Sequence, residues 1–131
     1  AMELYVKEHG AHMGGRAIQF VKVDDLSDPP KATEFTNKLV LGEKVDVLVG
    51  TVHSGVALAM VRIAKEAGLP TIVPNAGADD ITGGLCAPNV FRTSFSNSQV
   101  GFATGRAMLA SGIKEAVTDR RRGESVRRGK G

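Results

Sequence analysis

The chain has 131 residues, of which 42% are hydrophobic and 24% charged, with no Trp and a single Cys. This is one domain with one core; an intrachain disulfide is excluded, and no apolar run reaches the length of a membrane span. The pI of about 9.3 would suit a nucleic-acid partner, but residues 119–131 hold six Lys/Arg and two acids whereas residues 1–118 hold eleven and twelve. The globular part is nearly neutral, so only weak, salt-sensitive attraction through a basic tail is expected, and no specific nucleic-acid binding.

In chain order, Met2 to His9 reads as a helix with Leu4, Tyr5 and Val6 available for burial and Gly10 as its stop. Gly14-Gly15 closes a loop, and Ala17 to Val23 is the first expected strand. Asp24, Asp25, Ser27 and Asp28 form an acidic loop that lacks the ligand alternation and closing Glu of a calcium loop, which favours capping over metal binding. Asp28-Pro29-Pro30 opens a helix, with Asp as the cap and Pro where no N–H is needed. Ala32, Phe35, Leu39 and Val40 give it one apolar face, and Gly42 ends it.

Val45 to Val49 is a β-branched-rich run, as in a parallel strand covered on both faces. Gly50 lets the chain turn, Ser54 stands where a helix N-cap belongs, and Val56 to Ala67 is the helix. Such a turn leaves N–H groups and the positive end of the helix dipole at the strand's carboxyl edge, a site for carboxylate or phosphate. Gly68-Leu69-Pro70 stops the helix, and Thr71-Ile72-Val73 is a short strand that runs into Pro74-Asn75-Ala76-Gly77-Ala78. Asp79 to Thr82 makes a helical turn; Val90 to Thr93 is a strand, followed by Ser94-Phe95-Ser96-Asn97, a helix from Ser98 to Ser111, and a last strand beginning at Ala116-Val117-Thr118.

Alternating strands and helices at this spacing imply an α/β fold with a doubly wound parallel sheet, whose ligands gather outside the carboxyl ends of the strands. Three loops qualify: Gly50–Gly55, Asn75–Ala78 and Ser94–Asn97. All are rich in N–H and hydroxyl donors and poor in acids and bases, which suits binding rather than catalysis. Gly50 to Gly55 has only part of the dinucleotide GxGxxG spacing, there is no Walker A sequence, and the three His have no partner at zinc spacing. His53 and Ser54 are adjacent, so their side chains point apart, and no third group completes a triad. Cys86 has no CxxC partner. No catalytic residue, metal site or cofactor is therefore expected.

Four segments taken together resemble one family: Val23-Asp24-Asp25-Leu26-Ser27-Asp28-Pro29, Val49-Gly50-Thr51-Val52-His53-Ser54-Gly55-Val56-Ala57, Val73-Pro74-Asn75-Ala76-Gly77-Ala78 and Asn89-Val90-Phe91-Arg92-Thr93-Ser94. They are similar, in order and separation from Met2 to about Thr118, to type I periplasmic binding proteins of the leucine/isoleucine/valine kind, the substrate-binding components of ABC transporters. The resemblance implies a two-lobed periplasmic receptor that closes on a small carboxylated ligand, an amino acid or aromatic acid, and delivers it to a membrane permease. On the matching positions, Ser54 would donate its hydroxyl, Gly55 its backbone N–H, and Asn75, Ala76 and Gly77 mostly backbone groups. His53, Ser94 and Phe95 would stand nearby and bias the choice of ligand.

The departures from the pattern imply that residues 1–118 are a partial amino-terminal lobe and residues 119–131 a basic, disordered tail. The family's first strand, which lies between the second and third in the sheet, has no counterpart here. The expectation is that Ala17–Val23 pairs directly with Val45–Val49, or that another chain, such as a second copy, fills the gap. Three rivals stand beside the receptor reading: a ligand-sensing regulator on the same lobe, a Rossmann-like nucleotide binder, and a fragment without activity. A signal peptide with permease genes alongside, or retention on a nucleotide resin, would separate the first two from it.

Overall fold

A computed structural model describes residues 2–113. The elements are α1 (Met2–His9), β1 (His12–Met13), β2 (Arg16–Ala17), α2 (Pro29–Asn37), β3 (Leu48–Val49), α3 (Ser54–Ala67), β4 (Thr71–Val73), β5 (Val90–Arg92) and α4 (Asn97–Ala110). A π-helical turn, Lys38–Gly42, extends α2, and a 3₁₀ turn, Asp79–Ile81, follows β4. The expected strand at residues 116–118 and the tail lie outside the described residues.

Strands β3, β4 and β5 form a parallel sheet in that order, with Leu48 opposite Thr71 and Thr71 opposite Val90. Helix α3 supplies the core face: Ala57, Met60, Val61 and Ala64 recur at helical spacing and are buried with Leu48, Val73 and Val90 from the sheet and Ile81 from the 3₁₀ turn. Helix α2 packs against α3, burying Ala32 and Thr36. The far end of α3 is tied down by Asn89, whose Nδ2 donates to the carbonyls of Ala64 and Leu69, each at 2.8 Å. These contacts set the level of the three strands, and therefore the height at which their carboxyl-end loops emerge.

Several expectations are corrected. Ala17–Val23 is not a strand of the parallel sheet: Arg16–Ala17 pairs antiparallel with His12–Met13, and Ile18 to Asp25 has no regular structure. The Gly14-Gly15 pair, at φ +58° and +78°, makes the two-residue turn of that small hairpin. Ala17–Val23 therefore does not pair with Val45–Val49, and the outer edge of β3 carries no strand among the described residues. Strand β3 is also covered on one face only. Leu48, Thr71, Val73 and Val90 face α3, while Val49 (42% exposed), Ile72 (36%) and Phe91 (54%) stand side by side on the open face. Helix α1 forms where expected but buries nothing: Leu4 and Tyr5 are exposed, and Tyr5 stacks on His9 at 4.2 Å between ring centroids. Asp28 occupies the cap position of α2 without a side-chain hydrogen bond. The carboxylates of Asp24 and Asp25 accept the N–H groups of Leu26 (2.9 Å) and Ser27 (2.8 Å), two local turns.

Candidate ligand-binding cleft

At the carboxyl edge of the sheet, the three loops singled out by their composition converge on one cleft of about 520 Å³. The β3–α3 loop brings Val52 and Ser54, the β4 loop Asn75 and Gly77, and the β5–α4 loop Ser94, Phe95, Ser96 and Asn97, with Val100 on the first turns of α4. No ionisable side chain is among these lining residues. The walls offer hydroxyls, amides and backbone groups together with the apolar side chains of Val52, Phe95 and Val100.

Helix α3 begins one residue earlier than expected. His53, not Ser54, is the N-cap, with extended backbone and its Nδ1 accepting the N–H of Val56 at 3.4 Å. Ser54 is thereby the first residue of the helix, half-buried, with its hydroxyl not used for capping. The N–H groups of Ser54 and Gly55, the first two of α3, have no partner among the described residues, as geometry requires of a helix start. A hydroxyl and two N–H groups at the positive end of a helix dipole can hold a carboxylate.

The other loops are clasped together. Ser94 Oγ donates to the carbonyl of Asn75 at 3.1 Å, and the Asn97 N–H donates to the carbonyl of Gly77 at 2.7 Å. The approach at Gly77 is close: a Cβ there would stand 2.3 Å from Asn97 Oδ1, so any larger residue displaces the Asn97 side chain. Ser96 caps α4 in a reciprocal box: its Oγ accepts the Gln99 N–H at 3.3 Å, and Gln99 Oε1 accepts the Ser96 N–H at 2.8 Å. The Asp79 carboxylate accepts from the Ser98 hydroxyl at 2.7 Å and the Ser98 N–H at 3.2 Å. Those bonds, the hydroxyl foremost, hold Asp79 below the ordinary carboxylate pKa, with smaller help from Ser96 and Arg92.

Of the residues expected at the site, Ser54, Asn75, Gly77, Ser94 and Phe95 line the cleft, and His53, Gly55 and Ala76 do not. His53 is engaged as the cap. Gly55 lies against it, with space for a Cβ only 3.0 Å from His53 Cε1 and 3.2 Å from Pro29 Cγ. Ala76 is buried in the core and donates its N–H to Thr51 at 3.1 Å. Val52, Ser96 and Asn97, which belong to the expected loops but are not among the expected ligand contacts, also line the cleft, and Val100 joins them from beyond those loops. The Ser96-x-x-Gln99 spacing was the available signal, since a capping box fixes where α4 starts and so which residues face the loops.

The family model for periplasmic binding proteins matches residues 1–118. The chain belongs to the periplasmic binding protein family. That family consists of binding proteins rather than enzymes. A Leu/Ile/Val-binding protein homologue of Brucella abortus is 30% identical over 118 residues, covering 89% of this chain and 30% of the relative. The solute-binding protein of an ABC transporter from R. palustris, solved in complex with benzoate, is 69% identical with a TM-score of 0.79, covering 84% of this chain and 31% of that one. A second such protein, from Rhodopseudomonas palustris BisB5 in complex with 3,4-dihydroxybenzoic acid, is 33% identical with a TM-score of 0.77, covering 86% of this chain and 31% of that one. The chain thus spans about 30% of the length of the relatives it matches. Among the described residues, no helix is long and apolar enough to cross a membrane.

Proposed function

We propose that residues 1–118 are part of the amino-terminal lobe of an ABC-transporter solute-binding protein, and that the cleft takes the carboxylate half of an aromatic acid. The observation that carries this reading is a cleft lined both by Ser54, at a helix start whose first N–H groups have no partner among the described residues, and by the apolar side chains of Val52, Phe95 and Val100. A carboxylate joined to a flat ring matches both ends. The benzoate complex of the 69% identical relative favours an aromatic acid over a branched-chain amino acid, the ligand class named for the curated relatives. Asn75, Gly77 and Ser94 complete the polar rim. In this reading the whole protein works in the periplasm, a second lobe closes over the ligand, and a membrane permease receives it.

The test is the thermal stability of the 131-residue chain against benzoate, 4-hydroxybenzoate and leucine. A ligand at 100 times its Kd adds roughly 2.7 kcal/mol, enough to shift the melting midpoint by several degrees. A dose-dependent shift with the aromatic acids but not leucine is expected. A shift with leucine alone transfers the site to amino acids, and a flat panel overturns the reading for this chain.

A further inference from the structure

Two helix N-termini reach this cleft, and they differ. At α4, the first N–H groups are already engaged: Asn97 with the Gly77 carbonyl (2.7 Å), Ser98 with the Asp79 carboxylate (3.2 Å) and Gln99 with Ser96 Oγ (3.3 Å). The positive end of that helix therefore carries its own anion. At α3, the N–H groups of Ser54 and Gly55 stand without partners among the described residues. In the binding mode proposed above, a ligand carboxylate takes the donors at α3, because those at α4 are already engaged. The rest of the ligand then points to the α4 side.

On that side stands Phe95. The residue is 74% exposed and borders both the cleft and a groove over Gln99, Val100 and Ala103. The backbone on either side is nonetheless pinned, by Ser94 Oγ on the Asn75 carbonyl (3.1 Å) and by the Ser96 N–H on Gln99 Oε1 (2.8 Å). The backbone at Phe95 is set by polar bonds on either side, and its side chain is left largely exposed at the mouth of the cleft. Resting on the ligand class proposed above, we infer that Phe95 is a specificity-determining residue that selects an aromatic ring over a saturated one of the same size. Both kinds of ring gain from leaving water, but only the aromatic one adds the quadrupolar term of an offset-stacked or edge-to-face pair.

The experiment compares benzoate with cyclohexanecarboxylate, which share a carboxylate and ring size, by titration calorimetry on the 131-residue chain and its Phe95→Leu and Phe95→Tyr variants. Wild type should prefer benzoate by about two- to tenfold, the range of an aromatic pair. Phe95→Leu should bring the ratio close to one, and Phe95→Tyr should restore it. A merely structural role would weaken both ligands together and leave the ratio alone. A wild-type ratio of one, or a preference that survives in Phe95→Leu, overturns the inference while the ligand reading stands. No binding of either acid by wild type overturns the ligand reading, and this inference with it.

Discussion

His53 and Ser54 divide between them two tasks that a single residue often performs at a helix start. Because the His53 ring accepts the Val56 N–H, the Ser54 hydroxyl is not tied into α3, and the two positions should respond oppositely to truncation. Ser54→Ala should weaken benzoate binding by about tenfold or more, since a hydrogen bond to a charged group contributes roughly 1.5–3 kcal/mol, while the ligand-free melting temperature stays put. His53→Ala should instead lower that melting temperature, by the equivalent of about 0.5–1 kcal/mol for a long cap bond; calorimetric melting with and without ligand reads both. The sequence pattern located this turn but shifted the cap by one residue. Ser is the commoner cap, and two adjacent polar residues at a helix start leave the sequence pattern unable to say which of them accepts the first N–H groups. Gly77 is the sharper case of close approach. Gly77→Ala places a Cβ 2.3 Å from Asn97 Oδ1, a contact relieved by turning the Asn97 side chain, and should cost about 0.5–1.5 kcal/mol of stability, the size of a strained rotamer. Most of that cost should disappear in an Asn97→Ala background, because the clash is with that side chain; a double-mutant cycle by chemical denaturation measures the coupling.

At the scale of elements, the start of α4 is where loops become a site. Ser96 and Gln99 fix its first turn, and Asp79 joins the 3₁₀ turn to it through Ser98. Asp79 titrates below its ordinary value because the Ser98 hydroxyl and N–H bind its charged form. A carboxylate depressed in the folded state contributes stability that is present above its unfolded pKa and lost as pH falls through the folded one. The melting temperature should therefore decline on acidification below the usual carboxylate range, and Asp79→Asn should flatten that part of the profile; melts at a series of pH values from neutral downward check it. Helices α2, α3 and α4 were legible because Asp-Pro-Pro, the apolar spacing of Val56 to Ala64, and Gly68 and Gly112 are local signals that act within a turn or two. The expected strand at Ala17–Val23 was not legible as what it is. Ile18, Phe20, Val21 and Val23 have a strand's composition, but a strand exists only against a partner, and past the short hairpin ending at Ala17 the chain meets none among the described residues.

For the molecule as a whole, the sheet decides what the chain does with itself. Strands read from β-branched runs look alike whether one face or both are covered, so the pattern could not tell that Val49, Ile72 and Phe91 would line up in register on an open face. The outer edge of β3, which pairs with no strand among the described residues, borders that face, so backbone donors and acceptors lie next to apolar side chains, the combination that templates strand addition. If a second copy of this chain pairs with that edge, it also covers the apolar row. Sedimentation velocity on the 131-residue chain should accordingly show association that grows with concentration. Ile72→Thr with Phe91→Thr, which keeps strand propensity while removing the apolar row, should return it toward monomer. A wild-type chain that stays monomeric at every concentration would leave the sheet face open in solution and rule out self-association as the way this chain closes its sheet.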